Sequence, residues 1–376
     1  MYEIMSADEA IRLIRDGDCI CVNSFVGIEN PTELHEALYR RYQKMQSPTH
    51  LTIVSSAGFG VWDDEHNAEG YIREGAVDKL ICGHFGAMMS TKKLVLEDRF
   101  EAYNLPLGCI SHAIRAQAGG LPGALSKVGL DIFVDPRREG PGINRISIDD
   151  SLVKHVEVDG DEFLYYKLPQ ITIAMIKGTA ADRKGNITFD DMFMSGDALS
   201  ICQAVKANRG KVIVQVDRLV ATPSRPRNAI IPGCLVDAIV VAEPQERNEA
   251  YMALTGSFEI PYKEWHTWNE KINDLSQKQR KNNIPANIIG KRAAQELRVD
   301  DIVNIGIGIP ETVARFARKS GMLDMITLTV ESGGIGGFPV SGEAFGAMIG
   351  AASVYDMANQ FDLYDNGGLD VCFMGA

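Results

Sequence analysis

Short apolar runs alternate along the 376-residue chain with segments in which apolar residues recur at helical spacing. The apolar runs are predicted strands, and the segments between them are predicted amphipathic helices. This order is typical of α/β proteins with largely parallel sheets, which bind ligands beyond the carboxyl ends of their strands. The predicted strands are Cys19–Ser24, Leu51–Ser55, Ile171–Lys177, Lys211–Asp217, Ala238–Ala242, Ile302–Gly306 and Met325–Val330.

Two helix starts are indicated near the amino end of the chain. Ser6 and Glu9 have the spacing of a capping box, in which the serine accepts from the Glu9 amide and the glutamate reaches back. The second helix is predicted to begin with Asn30 as its cap, Pro31 at its first position and Glu33 at its third. Each of these residue types suits its predicted place.

One polar stretch, Trp265–Pro285, breaks the alternation and is typical of a linker or a solvated helix. The sequence that follows resembles the start of the chain, because Ala7–Val22 is echoed in element order by Gly290–Val303. A chance match of two common helix–strand units is the alternative. We predict two related α/β domains, 1–264 and 286–376, joined by a linker at 265–285.

Charge and composition limit the classes of function. The 50 acidic and 38 basic residues give a net charge of -12, which argues against a nucleic-acid binder. A small phosphorylated ligand remains compatible, since a few basic side chains and helix amino termini can hold it. The sequence opens with acidic residues rather than a signal peptide, and it contains no apolar run of the ~18–20 residues that span a bilayer.

Seven cysteines are scattered along the chain without a Cys-x-x-Cys pair. Neither a zinc site nor a disulfide framework is therefore predicted. Together with the missing export and membrane signals, this pattern favours the cytoplasm as the location of the protein.

Glu331 is the strongest candidate for a reactive side chain. It directly follows the last predicted strand, at the carboxyl end of that strand. Four of the next six residues are glycine, so the backbone can turn sharply and leave space against the carboxylate. A dinucleotide loop is not indicated, because Pro339 and Glu311 stand where the third glycine of each candidate motif is required. Taken alone, Glu331 is either a ligand-binding acid or a carboxylate that caps a loop amide.

The segment Val330–Pro339, followed by Gly342, Phe345 and Gly346, resembles the active-site signature of family I coenzyme A-transferases. It is most similar to the propionate/acetate type, in which both half-domains are fused in one chain. The resemblance extends over the whole sequence and includes 128–137, 178–188, 304–311 and 360–370. It implies the CoA-transferase fold, which is NagB/RpiA-like, and an enzyme that transfers CoA between short-chain carboxylic acids.

The resemblance also implies a mechanism. Glu331 would be the nucleophile of a ping-pong reaction through a glutamyl-CoA thioester, with acetate, propionate or a 3-oxoacid as substrate. The backbone amides of Val26 and Gly27 would be oxyanion donors that lie against Glu331 across the domain interface. No metal and no permanently bound cofactor is expected, since CoA is itself a substrate. The loop around the acyl-CoA would comprise Gly333, Gly334, Gly336 and Gly337.

Two departures from the family pattern stand out. Leu107 occupies the position where related enzymes commonly carry a glutamine near the oxyanion. The chain also stops at Ala376, whereas fused relatives run further, so we expect an incomplete second domain. The remainder is a second polypeptide, has been lost, or is missing from this sequence. The expected partners are another copy of the chain in a homo-oligomer, or a second polypeptide that completes this domain.

Two other functions remain open on the sequence. An acyl-CoA hydrolase would resolve the same glutamyl intermediate with water. A ligand-binding protein without catalysis could be built on the same fold. Neither nucleic acid nor membrane is an expected partner in any of these cases.

Overall fold

The computed structural model describes residues 2–59, 68–86, 88–149, 151–222, 225–242, 284–340 and 345–375. The chain divides into two units, Met1–Arg247 and Asn248–Ala376, called here the amino-terminal and the carboxyl-terminal unit. Of the predicted linker 265–285, only the last two residues are described, and they begin a helix, Ile284–Ala293. The rest of that prediction lies outside the described residues.

Eight parallel strands form the centre of the amino-terminal unit. Across the sheet their order is Glu3–Ile4, Ala238–Val241, Lys211–Leu219, Ile173–Ala181, Cys19–Val22, Leu51–Ser55, Val77–Cys82 and Glu101–Asn104. Two short antiparallel strands, Ile187–Thr188 and Ala229–Ile231, extend it at one end of Ile173–Ala181. A separate antiparallel sheet contains Ala124–Ser126, Asp161–Tyr166 and Val153–Val158, in that order.

Helices cover both faces of this sheet and bury its apolar side chains. Along the central strands, Cys21 and Val214 point into one core, whereas Ile20 and Ile213 point into the other. Burial on both faces explains the nearly continuous apolar runs in the sequence. The helices are Ala7–Ala10, Thr32–Met45, Gly70–Arg73, Met89–Leu96, Leu107–Ala118 and Ala198–Ala207, with 3₁₀ turns at Ile11–Leu13, Pro226–Asn228 and Gly233–Leu235.

The predicted capping box is confirmed. The Ser6 hydroxyl accepts from the Glu9 amide at 3.3 Å, and the Glu9 carboxylate accepts from the Ser6 amide at 3.0 Å. Two donors at the start of the first helix are thereby satisfied within the local sequence.

The predicted cap at Asn30 is wrong. The helix Thr32–Met45 begins one residue later than predicted, with Pro31 at the capping position. Its first amides donate instead to the Gln215 side-chain oxygen, from Glu33 at 3.1 Å and from Leu34 at 3.4 Å. A side chain from a distant strand therefore does the work that was assigned to the local asparagine.

The carboxyl-terminal unit contains a smaller mixed sheet in the order Ser353–Val354, Gly334–Ile335, Thr327–Thr329, Ile302–Ile305 and Val371–Phe373. The last three strands are parallel, and the first two pair antiparallel. A two-stranded sheet joins Phe338–Pro339 to Met348–Ile349. The helices are Ile284–Ala293, Glu311–Lys319 and Met357–Asp365, with 3₁₀ turns at Ala294–Glu296 and Leu323–Met325.

All seven predicted strands are present, with ends that differ by up to four residues. The α/β class with a mainly parallel sheet is thus confirmed. Within the described part of the chain, no helix combines the length and the apolar character needed to cross a bilayer.

Candidate active site

Glu331 stands two residues beyond the strand Thr327–Thr329, at the start of a tight turn. The turn closes through two backbone bonds, from the Gly333 amide to the Val330 carbonyl at 3.1 Å and from the Val330 amide to the Gly334 carbonyl at 3.0 Å. Gly333 has φ +119°, and a Cβ there would lie 2.1 Å from the carbonyl oxygen of Tyr355. Only glycine fits this position, which fixes where the chain leaves Glu331.

Close contacts also restrict two of the later glycines of the run, Gly336 and Gly337. Gly334 belongs to the strand Gly334–Ile335, and a Cβ on Gly337 would lie 2.8 Å from the Ala351 nitrogen. At Gly336, with φ +79°, a Cβ would come within 2.9 Å of the Ala352 Cβ. Close packing thus accounts for Gly336 and Gly337, and the predicted contact of the glycine loop with an acyl-CoA stays a prediction.

The Glu331 carboxyl is under-satisfied. Its Oε2 atom is buried and has no hydrogen-bond partner among the described residues, although the residue as a whole is partly exposed. Burial raises the pKa of this carboxyl, and hydrogen bonds from its own backbone and from the Asn304 side chain oppose the rise. A buried acceptor without a partner costs free energy, so a bonding partner from a substrate would be favoured here.

Asn304 reaches Glu331 because three parallel strands end together. In the sheet Asn304 is in register with Thr329 on one side and with Cys372 on the other. The Asn304 Nδ2 atom donates to the Tyr364 hydroxyl at 3.3 Å, and the Cys372 thiol donates to Asn304 Oδ1 at 3.4 Å. The glutamate therefore lies beside an ordered polar network rather than in a purely apolar pocket.

The sequence-based prediction missed this network. Site residues were expected in the loops after the strands, whereas Asn304, Thr329 and Cys372 lie within the strands themselves. A usable signal was present, since a buried Asn in an apolar strand is unusual unless it bonds to a partner. Tyr364, on the helix Met357–Asp365, carries no comparable local signal.

In the amino-terminal unit, Val26 and Gly27 lie in a turn that follows the strand Cys19–Val22. Phe25 and Ile28 close this turn, since the amide of each donates to the carbonyl of the other, at 3.1 and 3.0 Å. Val26 has φ +54°, a strained conformation for a β-branched residue. Both residues are buried, and their role as oxyanion donors stays a prediction.

A second buried glutamate follows this turn. Glu29 is 4% exposed, and its Oε1 atom accepts from the Phe193 amide at 2.8 Å. Burial raises the pKa of Glu29 to about 7, while Lys177 and the amides of Phe193 and Met194 oppose the rise. Glu29 thus ties the turn to the segment around Phe193 through a bonded carboxyl oxygen, whereas the Oε2 atom of Glu331 has no partner among the described residues.

The described His, Cys, Asp and Glu side chains form no group with the arrangement of a metal site. The chemistry that the structure offers is that of a buried carboxylate at the carboxyl end of a parallel sheet, beside an amide donor. The class is that of an α/β protein with a ligand site beyond its strand ends, at which the carboxylate can act as a nucleophile or as an acid or base.

Comparison with known proteins gives the family. The profile described as "Coenzyme A transferase" matches residues 4–242. The chain is 37% identical over 376 residues to acetate CoA-transferase YdiF of Escherichia coli K12, covering 99% of this chain and 68% of that protein. It is 35% identical over 387 residues to caffeate CoA-transferase of Acetobacterium woodii, covering 100% of this chain and 70% of that protein.

A solved structure agrees with the sequence matches. The acyl-CoA transferase YdiF of E. coli O157:H7, in a thioester complex with CoA, has a TM-score of 0.85 and 34% identity, covering 99% of this chain and 72% of that one. The chain belongs to the coenzyme A transferase family, and its function is that of a CoA-transferase. The predicted family, fold class and enzyme class are confirmed.

Proposed function

We propose that the protein transfers CoA between small carboxylic acids through a thioester on Glu331. The observation that carries the proposal is the buried Oε2 atom of this residue, which has no partner in the described part of the chain and lies beside the Asn304 amide. The likeness to an acyl-CoA transferase solved as a thioester complex with CoA supports the same chemistry. The subtype proposed is the fused propionate/acetate type.

The reaction runs in two halves. The Glu331 carboxylate attacks the acyl-CoA carbonyl, and collapse of the tetrahedral intermediate expels CoA thiolate and leaves a mixed anhydride. The thiolate then attacks the glutamyl carbonyl and expels the first acid as its carboxylate, so that CoA is held as a thioester. A second carboxylate reverses these steps and leaves as its CoA ester.

Each tetrahedral intermediate carries an oxyanion that needs donors. The amides of Val26 and Gly27 are the donors proposed from the sequence resemblance, and each well-placed donor contributes about 3–4 kcal/mol. The strained turn that carries them is closed by the Phe25–Ile28 bonds, which favours a fixed orientation of the amides. Asn304 is a further donor, directed at Glu331 itself.

The substrate class proposed is acetate, propionate or a 3-oxoacid as acceptor and donor, with CoA as the carried group. Similarity to an acetate CoA-transferase supports small acids as substrates. Because the chain is also similar to a caffeate CoA-transferase, larger aromatic acids should be tested as well. We place the enzyme in the cytoplasm and expect it to act as a homo-oligomer or together with a further polypeptide.

The test is CoA transfer from propionyl-CoA to deuterated acetate, followed by mass spectrometry of the CoA esters. Deuterated acetyl-CoA should form, and it should form only when the acceptor acid is present. Sustained release of free CoA without acceptor would show a hydrolase instead. Absence of both products at saturating propionyl-CoA and acetate would overturn the proposal.

A further inference from the structure

The Tyr364 hydroxyl is the centre of the polar network beside Glu331. The helix Met357–Asp365 brings it within hydrogen-bonding distance of three side chains. It lies 2.8 Å from Thr329 Oγ1, 2.8 Å from Gln360 Nε2 and 3.3 Å from Asn304 Nδ2. One phenol oxygen thus joins a strand, its own helix and the neighbouring strand.

The direction of each bond follows from counting protons. The Thr329 hydroxyl donates its one proton to the Val303 carbonyl oxygen at 3.2 Å, so it can only accept from Tyr364. The Tyr364 hydroxyl therefore donates its own proton to Thr329 Oγ1. Its oxygen is left as an acceptor, and it takes the amide protons of Gln360 and Asn304.

The Asn304 amide is consequently held in one of its two orientations. Its Nδ2 atom faces the accepting oxygen of Tyr364, while its Oδ1 atom accepts from the Cys372 thiol. The side chain also bonds to Glu331, and only the Nδ2 end has a proton to give to a carboxylate. A flipped amide would instead place an oxygen against the Glu331 carboxylate and repel it.

We propose that Tyr364 is a positioning residue that fixes Asn304 as a hydrogen-bond donor to Glu331, and thereby sets how fast Glu331 reacts with acyl-CoA. The inference rests on the proposed function, since it assigns a role within the same site. Tyr364 acts through Asn304 and Thr329, and it belongs to none of the residues that the sequence analysis assigned to the site. Partners of this kind change activity by about 10–100-fold in comparable sites around metals.

The direct test is Tyr364→Phe, which deletes the hydroxyl and keeps the ring. We expect kcat to fall by about 10-fold, at the lower end of that range. The KM for acyl-CoA should stay within about twofold, because an interaction made mainly at the reacting carboxylate affects kcat rather than uniform binding. Tyr2→Phe, which deletes a hydroxyl that donates to the Arg183 carbonyl at 2.9 Å in the amino-terminal unit, is the matched control and should leave both constants unchanged.

A second variant tests the assignment of the Tyr364 proton to Thr329 Oγ1. Thr329→Val removes the acceptor for the Tyr364 proton and leaves the phenol free to donate to Asn304 Oδ1, which favours the wrong amide orientation. We expect a fall in kcat similar to that of Tyr364→Phe. The double variant should be no slower than Tyr364→Phe alone, because both changes act through one interaction. Two independent effects that multiply would overturn the inference.

Loss of folded protein has to be separated from loss of positioning. Each preparation is therefore titrated with acyl-CoA, the thioester formed per chain is counted, and kcat is expressed per titrated site. A merely structural role would lower the number of sites and leave the rate per site unchanged. A wild-type rate per site in Tyr364→Phe would contradict positioning, whereas a wild-type protein that forms no thioester would contradict the proposed function itself.

Discussion

Each unit contains a glutamate with a buried carboxyl oxygen beyond the end of a parallel strand, and the two carboxyls differ in their hydrogen-bond partners. Burial is the largest cause of a raised pKa in both Glu29 and Glu331. Glu29 accepts from a backbone amide at 2.8 Å and has Lys177 nearby, whereas one oxygen of Glu331 has no partner among the described residues. A satisfied buried carboxyl holds structure in place, and an under-satisfied one keeps its capacity to bond to a substrate.

The largest expected effect comes from exchanging each glutamate for its amide. Glu331→Gln removes the proposed nucleophile and should lower CoA transfer by at least about 10³-fold. Glu29→Gln is the matched control. It should still form the thioester, and its rate of CoA transfer should fall by less than about 10-fold, because Glu29 only positions the turn. Both variants are compared by their turnover and by their thioester yield. Equal losses in the two variants would show that Glu331 and Glu29 do not differ in function.

The next effect concerns how the chain turns at Glu331. Gly333→Ala places a Cβ against the Tyr355 carbonyl oxygen at positive φ, and strain and overpacking together should cost about 4 kcal/mol of unfolding free energy. Gly308→Ala is the control, since Gly308 also has positive φ but no atom within 4 Å of the place that a Cβ would occupy, and it should cost about 1–2 kcal/mol. Chemical denaturation of both variants checks this, and equal losses would show that the close contact is unimportant.

A pH series sharpens the account of Glu29. Its pKa is raised from 4.5 to about 7, so the stability that this carboxyl contributes is present below pH 4.5 and is lost as pH rises towards 7. The free energy of unfolding of the wild type minus that of Glu29→Gln should therefore fall by about 3 kcal/mol across this window. A difference that stays constant between pH 4.5 and about 7 would contradict the burial argument.

The smallest expected effect tests the hydrogen bond that follows Glu331. Ser332 is fully buried, and its hydroxyl donates to the Gly346 carbonyl. Ser332→Ala should cost about 1 kcal/mol of unfolding free energy, the usual contribution of one such bond. Ser320→Ala, at an exposed serine bonded to the Ala317 carbonyl at the end of a helix, is the control and should cost less.

The sequence pattern predicted those structural features that depend on residues close together in the chain. The strands followed from apolar runs, and the capping box of Ser6 followed from spacing, because both depend on neighbours in the chain. The cap at Asn30 failed because Gln215, 182 residues from Glu33, bonds to the helix start instead. That contact is set by tertiary packing, which no local pattern records.

The site divides in the same way. Glu331 could be predicted, because a carboxylate at a strand end before four glycines is visible in one stretch of sequence. Its grouping with Asn304, Tyr364 and Cys372 could not, since it depends on strand register and on the placement of one helix. The reactive residue can thus be read from one stretch of sequence, whereas the network that orients it depends on residues far apart in the chain.

Trapping the thioester on Glu331 tests covalent catalysis by this residue. The wild-type protein is incubated with propionyl-CoA without acceptor, reduced with borohydride, and digested for peptide mapping by mass spectrometry. We expect reduction of the Glu331 side chain to its alcohol, with Glu29 and the Glu331→Gln variant unmodified. An intact Glu331 at saturating propionyl-CoA, in a protein that still transfers CoA, would contradict this expectation.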